Sequence, residues 1–266
     1  MQMIVCIKQV PDPEIPPAKF RIDASAMRAV PPEGIPPVIN PYDERAVELA
    51  LRLRESCGGT ITAVTIGRPE AAAVLKHAIA MGADDGVLLS DSAFDATGNL
   101  AYAYILSQAI KKIGRYDLVL CGRQASDWDE GITGAALAVH LAVPLVTLVV
   151  TAEAQGTGLA VKRVMLDGHQ RLLVTMPAVL TVSQEVGRPR LPSGRGIIVA
   201  ARKQLPTWTA RDIEAEPAAI TEKAASRRLV KLSAAERARK CELISAESAE
   251  EAGARLAERL RQAGAL

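Results

Sequence analysis

The sequence predicts an α/β protein built on a parallel sheet with helices on both faces. Three observations carry that expectation. Short runs rich in Val, Ile and Leu alternate with longer stretches of helical spacing, from the N-terminus to the neighbourhood of Val150. Those short runs are continuously apolar, as expected for strands buried on both faces. The junctions between run and helix are marked by Gly, Pro, Asn and Asp, the residues of turns and caps. With 266 residues, 49% of them of apolar type, the chain can bury a sizeable core.

The elements follow in order. "MIVCIKQV" reads as a first strand that stops at Pro11. Between Pro11 and Pro41, proline recurs too often for a regular helix. "KFRIDASAMRAV" within that stretch has room for a small hairpin. "NPYDERAVELALRLRES" is a helix, with Asn40 as N-cap, Pro41 at the first helical position, and Asp43 and Glu44 in the first turn. Ala46, Leu49, Ala50 and Leu53 form its apolar stripe, and Gly58-Gly59 ends it. "TITAVTIG", "DGVLLSD" and "YDLVLCG" are the next strands. The helices "PEAAAVLKHAIAMGA", "NLAYAYILSQAIKKIG" and "EGITGAALAVHLAV" follow them in turn. After Pro144 comes the strand "LVTLVV". "GLAVKRVMLDGHQRLLVTMPAVLTVSQEV" reads as a meander turning at "DGHQ", adding antiparallel strands to a sheet edge. Residues 1–205 form the α/β domain on this reading, and residues 206–266 an extended arm. The arm ends in an amphipathic helix, "SAESAEEAGARLAERLRQAG", capped by Ser245 or Ser248.

Composition narrows the functional classes. Lys+Arg totals 32 against 30 Asp+Glu, a balance that argues against capture of nucleic acid or of a membrane surface. Two Phe and two Trp supply few platforms for stacking bases. No apolar run approaches the ~20 residues of a membrane span, and the first residues read as a strand, not a signal peptide. Cys6, Cys57, Cys121 and Cys241 are scattered, without metal-ligand spacing, as expected of reduced thiols in a cytoplasmic protein. His77, His140 and His169 lie far apart, so no metal site is expected.

The stretch "CGRQASDWDEGITG", Cys121 to Gly134, is the most informative one. It carries the chain from a buried strand into a helix. The N–H groups at a helix start favour an anion, and Gly131 and Gly134 let a ligand approach the backbone closely. Thr133 adds a hydroxyl donor, and Asp127 and Asp129 suit ribose hydroxyls. The stretch therefore reads as a nucleotide-phosphate site. The competing reading is a plain helix with Asp129 as its N-cap. "INPYDE" and "TIGRPE" stand at similar junctions and have the means to converge on one ligand at the strands' carboxyl ends. Neither GxxxxGK[ST] nor GxGxxG occurs. Asp84 and Asp85 read as a solvated turn. Ser107, Ser126 and Ser193 lie in no nucleophile elbow, so no catalytic residue is assigned. "RPRLPSGRG", with Arg188, Arg190 and Arg195, reads as an exposed loop suited to docking a partner.

Taken together, these stretches resemble the β subunit (small subunit) of electron transfer flavoprotein. The matching segments are "VCIKQVPD", "INPYDERAVELALRLRE", "AVTIGRPE", "AIAMGADDGVLLSD", "YDLVLCGRQASDWDEGITG", "MPAVLTVSQEVGRPRLPS" and "AARK". The resemblance implies a Rossmann-like fold of the adenine nucleotide α-hydrolase type. It also implies a heterodimer with an α subunit that holds most of the surface for a shared, redox-active FAD. The β subunit would itself bind AMP or, in the electron-bifurcating branch, a second FAD. The positions carried over as cofactor-binding are Cys6, Asn40, Pro41, Tyr42, Asp43, Ile66, Gln124, Ala125, Asp127, Asp129, Glu130, Gly131, Ile132, Thr133 and Gly134. Partner docking falls to Arg190, Leu191, Pro192, Ser193, Gly194 and Arg195. The resemblance implies electron carriage between a dehydrogenase or ferredoxin-type partner and a quinone-linked acceptor.

Two departures bear on this. Family members that hold AMP commonly have Asn and Gln before the Thr-Gly of the loop, where this chain has Gly131 and Ile132. "LLSDSAFDATGNLA" and "TWTARDI" look like the bifurcating branch. The docking loop has Gly194 where a leucine anchor is usual, with Leu191 three residues earlier. Two other readings stay open: a stand-alone adenine-nucleotide-binding signalling domain, and a hydrolase using Asp127 or Asp129.

Overall fold

The computed structural model describes the chain except for Pro17, Ala26, Pro31 and residues 96–97, 226–228 and 234–240. The first strand β1 (Gln2–Cys6) stops earlier than its apolar run. Two short strands, β2 (Gln9–Val10) and β5 (Val38–Ile39), pair beside it. Between them lies the expected hairpin, β3 (Arg21–Asp23) and β4 (Arg28–Val30). Helix α1 (Pro41–Cys57) begins where the sequence placed it, with Pro41 at its start. Then come β6 (Thr60–Ile66), α2 (Ala72–Met81), β7 (Asp85–Leu89), α3 (Asn99–Ile113), β8 (Leu118–Gly122) and α4 (Thr133–Leu141). They are followed by β9 (Leu145–Gln155), β10 (Gly158–Met165), β11 (Gly168–Thr175), β12 (Ala178–Val182), α5 (Gly194–Arg202), β13 (Thr207–Trp208), α6 (Pro217–Ala224) and α7 (Ala249–Gln262).

Nine strands form one sheet in the order β11-β10-β9-β12-β8-β1-β6-β7-β13. From β9 to β13 every neighbouring pair is parallel, and β9, β10 and β11 are antiparallel. The α/β class and the antiparallel edge are as the sequence predicts. The last strand of the expected meander is different. β12 inserts between β9 and β8, parallel to both. All five of its residues are buried, and a continuous apolar run of that kind belongs inside a parallel sheet.

The sheet separates two apolar layers. Met3, Val5 and Ile7 of the first run pack with α1, α2 and α5. Ile4 and Cys6, pointing the other way, pack with α3, α4 and α6. Part of the stretch expected as an arm lies in this second layer: β13 pairs with β7, and Ala210, Ile213, Ala215 and Ile220 are buried. The chain divides into two compact units, Met1–Leu232 and Ser233–Leu266. In the second unit α7 starts at Ser248, whose hydroxyl accepts from the Glu251 N–H. Its acidic first turn and basic last turn suit the helix dipole. Asp84 is more than a solvated turn, because its carboxylate accepts from the Ile61 N–H and from Arg54. No helix among the described residues is long and apolar enough to cross a membrane.

Candidate functional site

The strand order reverses at β1. The chain steps from β1 to β6 and β7 on one side, then returns to β8 on the other. Such a switch point opens a crevice beyond the carboxyl ends of the strands. Here it is a cleft with about 870 Å³ of empty space, part of it open to solvent. Cys6 and Cys121 line it from β1 and β8, Ile66 from β6, and Tyr102 and Leu106 from α3. The β8–α4 loop supplies the remainder, from Gly122 to Gly134.

Two side chains at the start of α1 build this cleft. Asn40 occupies the N-cap position but makes no cap hydrogen bond. Its amide instead donates to the Gln124 carbonyl at 2.8 Å and accepts from the Ser126 N–H at 3.1 Å. It thereby fixes a loop more than eighty residues away in sequence. Asp43 is buried, and accepts from the Lys8 N–H at 2.8 Å and the Gly122 N–H at 2.9 Å. This explains why β1 ends before its apolar run does: the Lys8 N–H is turned away from the sheet toward Asp43. Burial pushes the Asp43 carboxyl up to about 7, against the pull of its hydrogen bonds from Asn40, Lys8 and Gly122 and of the Lys8 charge. Gly122 is required at this point. A Cβ there would overlap Asp43 Oδ1 and lie 2.7 Å from the Tyr42 Cβ.

The loop is closed by further pairs. Lys8 Nζ meets Asp127 at 2.6 Å, and Gln124 Nε2 donates to Asp129 at 2.7 Å. Asn99 of α3 donates to Glu130. Asp129 (φ 52°) and Gly131 (φ 64°) are left-handed, and they delay the start of α4 until Thr133. The N-cap position therefore falls to Ile132, which offers no side-chain acceptor. The reading of Asp129 as N-cap is overturned, since its carboxylate is turned to Gln124. The first-turn N–H groups of α4, at Thr133, Gly134 and Ala135, have no intrahelical acceptor and no capping side chain. Two of these residues, Thr133 and Gly134, line the cleft. A Cβ on Gly134 would approach Thr181 Cγ2 to 2.5 Å, so glycine is needed there for packing against β12.

Comparison with known proteins agrees with this architecture. A family model described as the electron transfer flavoprotein domain matches residues 32–213. The chain belongs to the electron transfer flavoprotein family. It is 39% identical over 218 residues to the electron transfer flavoprotein subunit beta of Clostridium acetobutylicum, covering 82% of each chain. It is 41% identical to the subunit of the same name from Thermoanaerobacterium thermosaccharolyticum, covering 81% of each. The Caffeyl-CoA reductase-Etf complex subunit CarD of Acetobacterium woodii is 37% identical, with 82% of each chain covered.

Of the positions expected to contact a cofactor in this electron transfer flavoprotein chain, the cleft is lined by Cys6, Asn40, Asp43, Ile66, Gln124, Ala125, Glu130, Gly131, Thr133 and Gly134. Pro41, Tyr42, Asp127, Asp129 and Ile132 do not line it. The Pro41 carbonyl accepts from Arg45, and the Tyr42 ring lies 5.4 Å from the Arg123 guanidinium. Sequence reasoning missed Lys8, Asn99 and Tyr102, which also line the cleft, and treated Cys121, Arg123 and Trp128 only as parts of the loop stretch. Lys8 stood two residues after Cys6 in a quoted segment. Asn99 and Tyr102 carried no local signal, since only the fold brings α3 to this rim. Among the described residues no group of three or more His, Cys, Asp and Glu is placed to hold a metal ion.

The expected docking loop is held at one end. Arg190 pairs with Glu48 at 2.8 Å and Glu55 at 2.5 Å on α1, and its own N–H also donates to Glu48. Burial alone would push the Glu48 carboxyl up, but hydrogen bonds from Arg190 and Arg52 outweigh it and hold the group below its usual range. Leu191 is 87% exposed, beside the exposed Ile197, Ile198 and Val199. Gly194 and Arg195 are not loop but the first turn of α5, which Ser193 caps by accepting from the Gly196 N–H.

Proposed function

We propose that this chain is the β subunit of an electron-carrying heterodimer and that the cleft between β1 and β8 holds the adenine-nucleotide part of a cofactor. The observation that carries the reading is the uncapped start of α4, opening into a cleft at the switch point of the sheet. Main-chain N–H groups of Thr133 and Gly134, with the Thr133 hydroxyl, suit a phosphate there. Lys8, already at the cleft, supplies a positive charge. Gln124 and Glu130 line the cleft and Asp127 and Asp129 do not, so ribose contacts fall more readily to Gln124 and Glu130.

FAD is favoured over AMP. A second cleft adjoins the first and shares Ile66 and Tyr102 with it. It is lined by Arg68, Ser90 and Asp91 at the ends of β6 and β7, with about 760 Å³ of empty space. A dinucleotide that reached past Ile66 and Tyr102 would enter it. When bound, the isoalloxazine would supply the electron chemistry. The chain's own residues would hold and orient it and exclude water. The α subunit would complete a second, shared FAD site. Leu191 and α5 would meet the redox partner, a dehydrogenase or ferredoxin-type protein, and α7 would pack on the α subunit. Electrons would pass onward to a quinone-linked acceptor.

Co-expression with the α subunit tests this. The nucleotide released on denaturation is identified by mass and absorbance. Two flavins per pair are expected. One flavin plus AMP would remove the FAD assignment, and no adenine nucleotide at all would remove the site.

A further inference from the structure

Cys6 and Cys121 are direct neighbours across the rung that joins β1 to β8. Both side chains point to the same face of the sheet, into the layer beneath α3 and α4. Both line the cleft, and they are 6% and 5% exposed. Both are free thiols. Neighbouring strands stand about 4.7–4.9 Å apart, inside the Cα separation of about 4.4–6.8 Å that a disulfide spans.

We propose that this pair is a modification site, a dithiol on the floor of the cleft that hydrogen peroxide converts to an intramolecular disulfide. Peroxide is small enough to enter the cleft. The Cys6 sulfur attacks one peroxide oxygen and the O–O bond breaks. The departing hydroxide takes the Cys6 proton and leaves as water, with a sulfenic acid on Cys6. The Cys121 sulfur then attacks the Cys6 sulfur. The S–O bond breaks, and the hydroxyl leaves as a second water with the Cys121 proton. The two sulfurs have lost two electrons, and one peroxide has become two waters. The Cys121 thiol is pushed well up by its hydrogen bond to Cys6 and by burial. It therefore stays protonated at neutral pH and acts second.

The disulfide is labile. Two parallel side chains set a strand spacing apart stand wider than the Cβ separation of a relaxed disulfide, about 3.8 Å. Closing the bond draws the ends of β1 and β8 together, just where Asp43 bridges Lys8 and Gly122. A strained disulfide is readily reduced, so the modification is reversible. One consequence rests on the nucleotide reading of the cleft. A cofactor in the cleft covers the pair and slows its oxidation.

The test uses the full chain with the exposed Cys57 and Cys241 changed to Ser, neither of which lines the cleft. Peroxide is added, free thiols are alkylated, and the intact protein and its peptides are weighed. The expected result is a mass about 2 Da lower, Cys6 and Cys121 peptides linked to each other, and recovery of both thiols with dithiothreitol. With Cys121→Ser, Cys6 stops at a sulfenic acid that dimedone traps. Full alkylation of both thiols after peroxide treatment, or separate sulfinic acids without a linked peptide, overturns the proposal. Adding FAD is expected to slow disulfide formation about tenfold. A disulfide forming at the same rate with and without FAD upholds the modification site and counts against the nucleotide reading of the cleft.

Discussion

Asp43 bridges two strand ends with one carboxyl group, and its protonation is felt at both. In the folded chain its carboxyl is pushed up from 3.8 to about 7, with burial the largest cause. Folding therefore favours the protonated form. The stability this contributes is complete below 3.8 and is lost as pH rises through about 7. The charged and titratable groups facing it are Lys8, just after β1, and Cys121 from β8. Asp43→Asn keeps the shape, removes the titration, and leaves one of the two N–H donors facing an amide NH₂, at a cost of about 1–3 kcal/mol. Urea midpoints measured from acid to mildly alkaline pH should fall more steeply for the natural chain than for the variant. Parallel curves would show that Asp43 does not titrate in this window. Gly122→Ala places a methyl group against Asp43 and Tyr42. It should cost roughly 2 kcal/mol and abolish cofactor retention, which thermal melts and the flavin content of the purified protein would report.

At the scale of elements, most of the sheet was legible because each strand is a short apolar run and each helix carries its own start and stop. The hairpin at Arg21–Val30 was expected only as something the proline-rich stretch had room for, and β3 and β4 do pair there. What the sequence hid was non-local. The all-buried run of β12 signalled a central strand, but no local feature says that it pairs with β8 and β9. Asp129 looked like a cap because Asp often is one. Its left-handed backbone became visible only in three dimensions. The junction from β8 to α4 was readable as a strand-to-helix loop, whereas its supports Lys8 and Asn99 came from other elements. Helix α1 shows the same divided labour: Asn40 and Asp43 shape the cleft at its start, and further along Glu48 and Glu55 hold Arg190 while Arg52 pairs with Glu48. Folding lowers the Glu48 carboxyl, because hydrogen bonds from Arg190 and Arg52 outweigh burial, so its contribution is present above 4.5 and is lost as pH falls. Glu48→Gln should destabilise by about 3 kcal/mol at neutral pH. The gap to the natural chain should narrow in acid. A gap that stays constant down to well below pH 4.5 would assign the loss to packing, not charge.

At the scale of the whole molecule, the chain presents two apolar surfaces that its own described residues leave uncovered. One runs from Leu191 along Ile197, Ile198 and Val199 of α5. The other is the stripe of α7, with Leu256 and Leu260 exposed and no residue of the helix buried. Grouped exposed apolar side chains of this kind suit contact with other proteins. The two surfaces lie in different compact units, so they are separable by substitution. Leu191→Asp alters a side chain that supports no core packing, and it should leave the melting temperature, the flavin content and the heterodimer unchanged. On the proposed function, it should slow electron delivery between the heterodimer and its redox partner by about tenfold, the equivalent of about 1.4 kcal/mol of lost docking energy. Leu256→Asp with Leu260→Asp should act in the opposite sense, lowering the yield of α subunit recovered with a tagged chain while Met1–Leu232 still folds. Stopped-flow reduction and subunit recovery, measured on both variants, distinguish these roles. If Leu191→Asp disrupts the heterodimer itself, α5 faces the α subunit, and the redox partner must dock elsewhere.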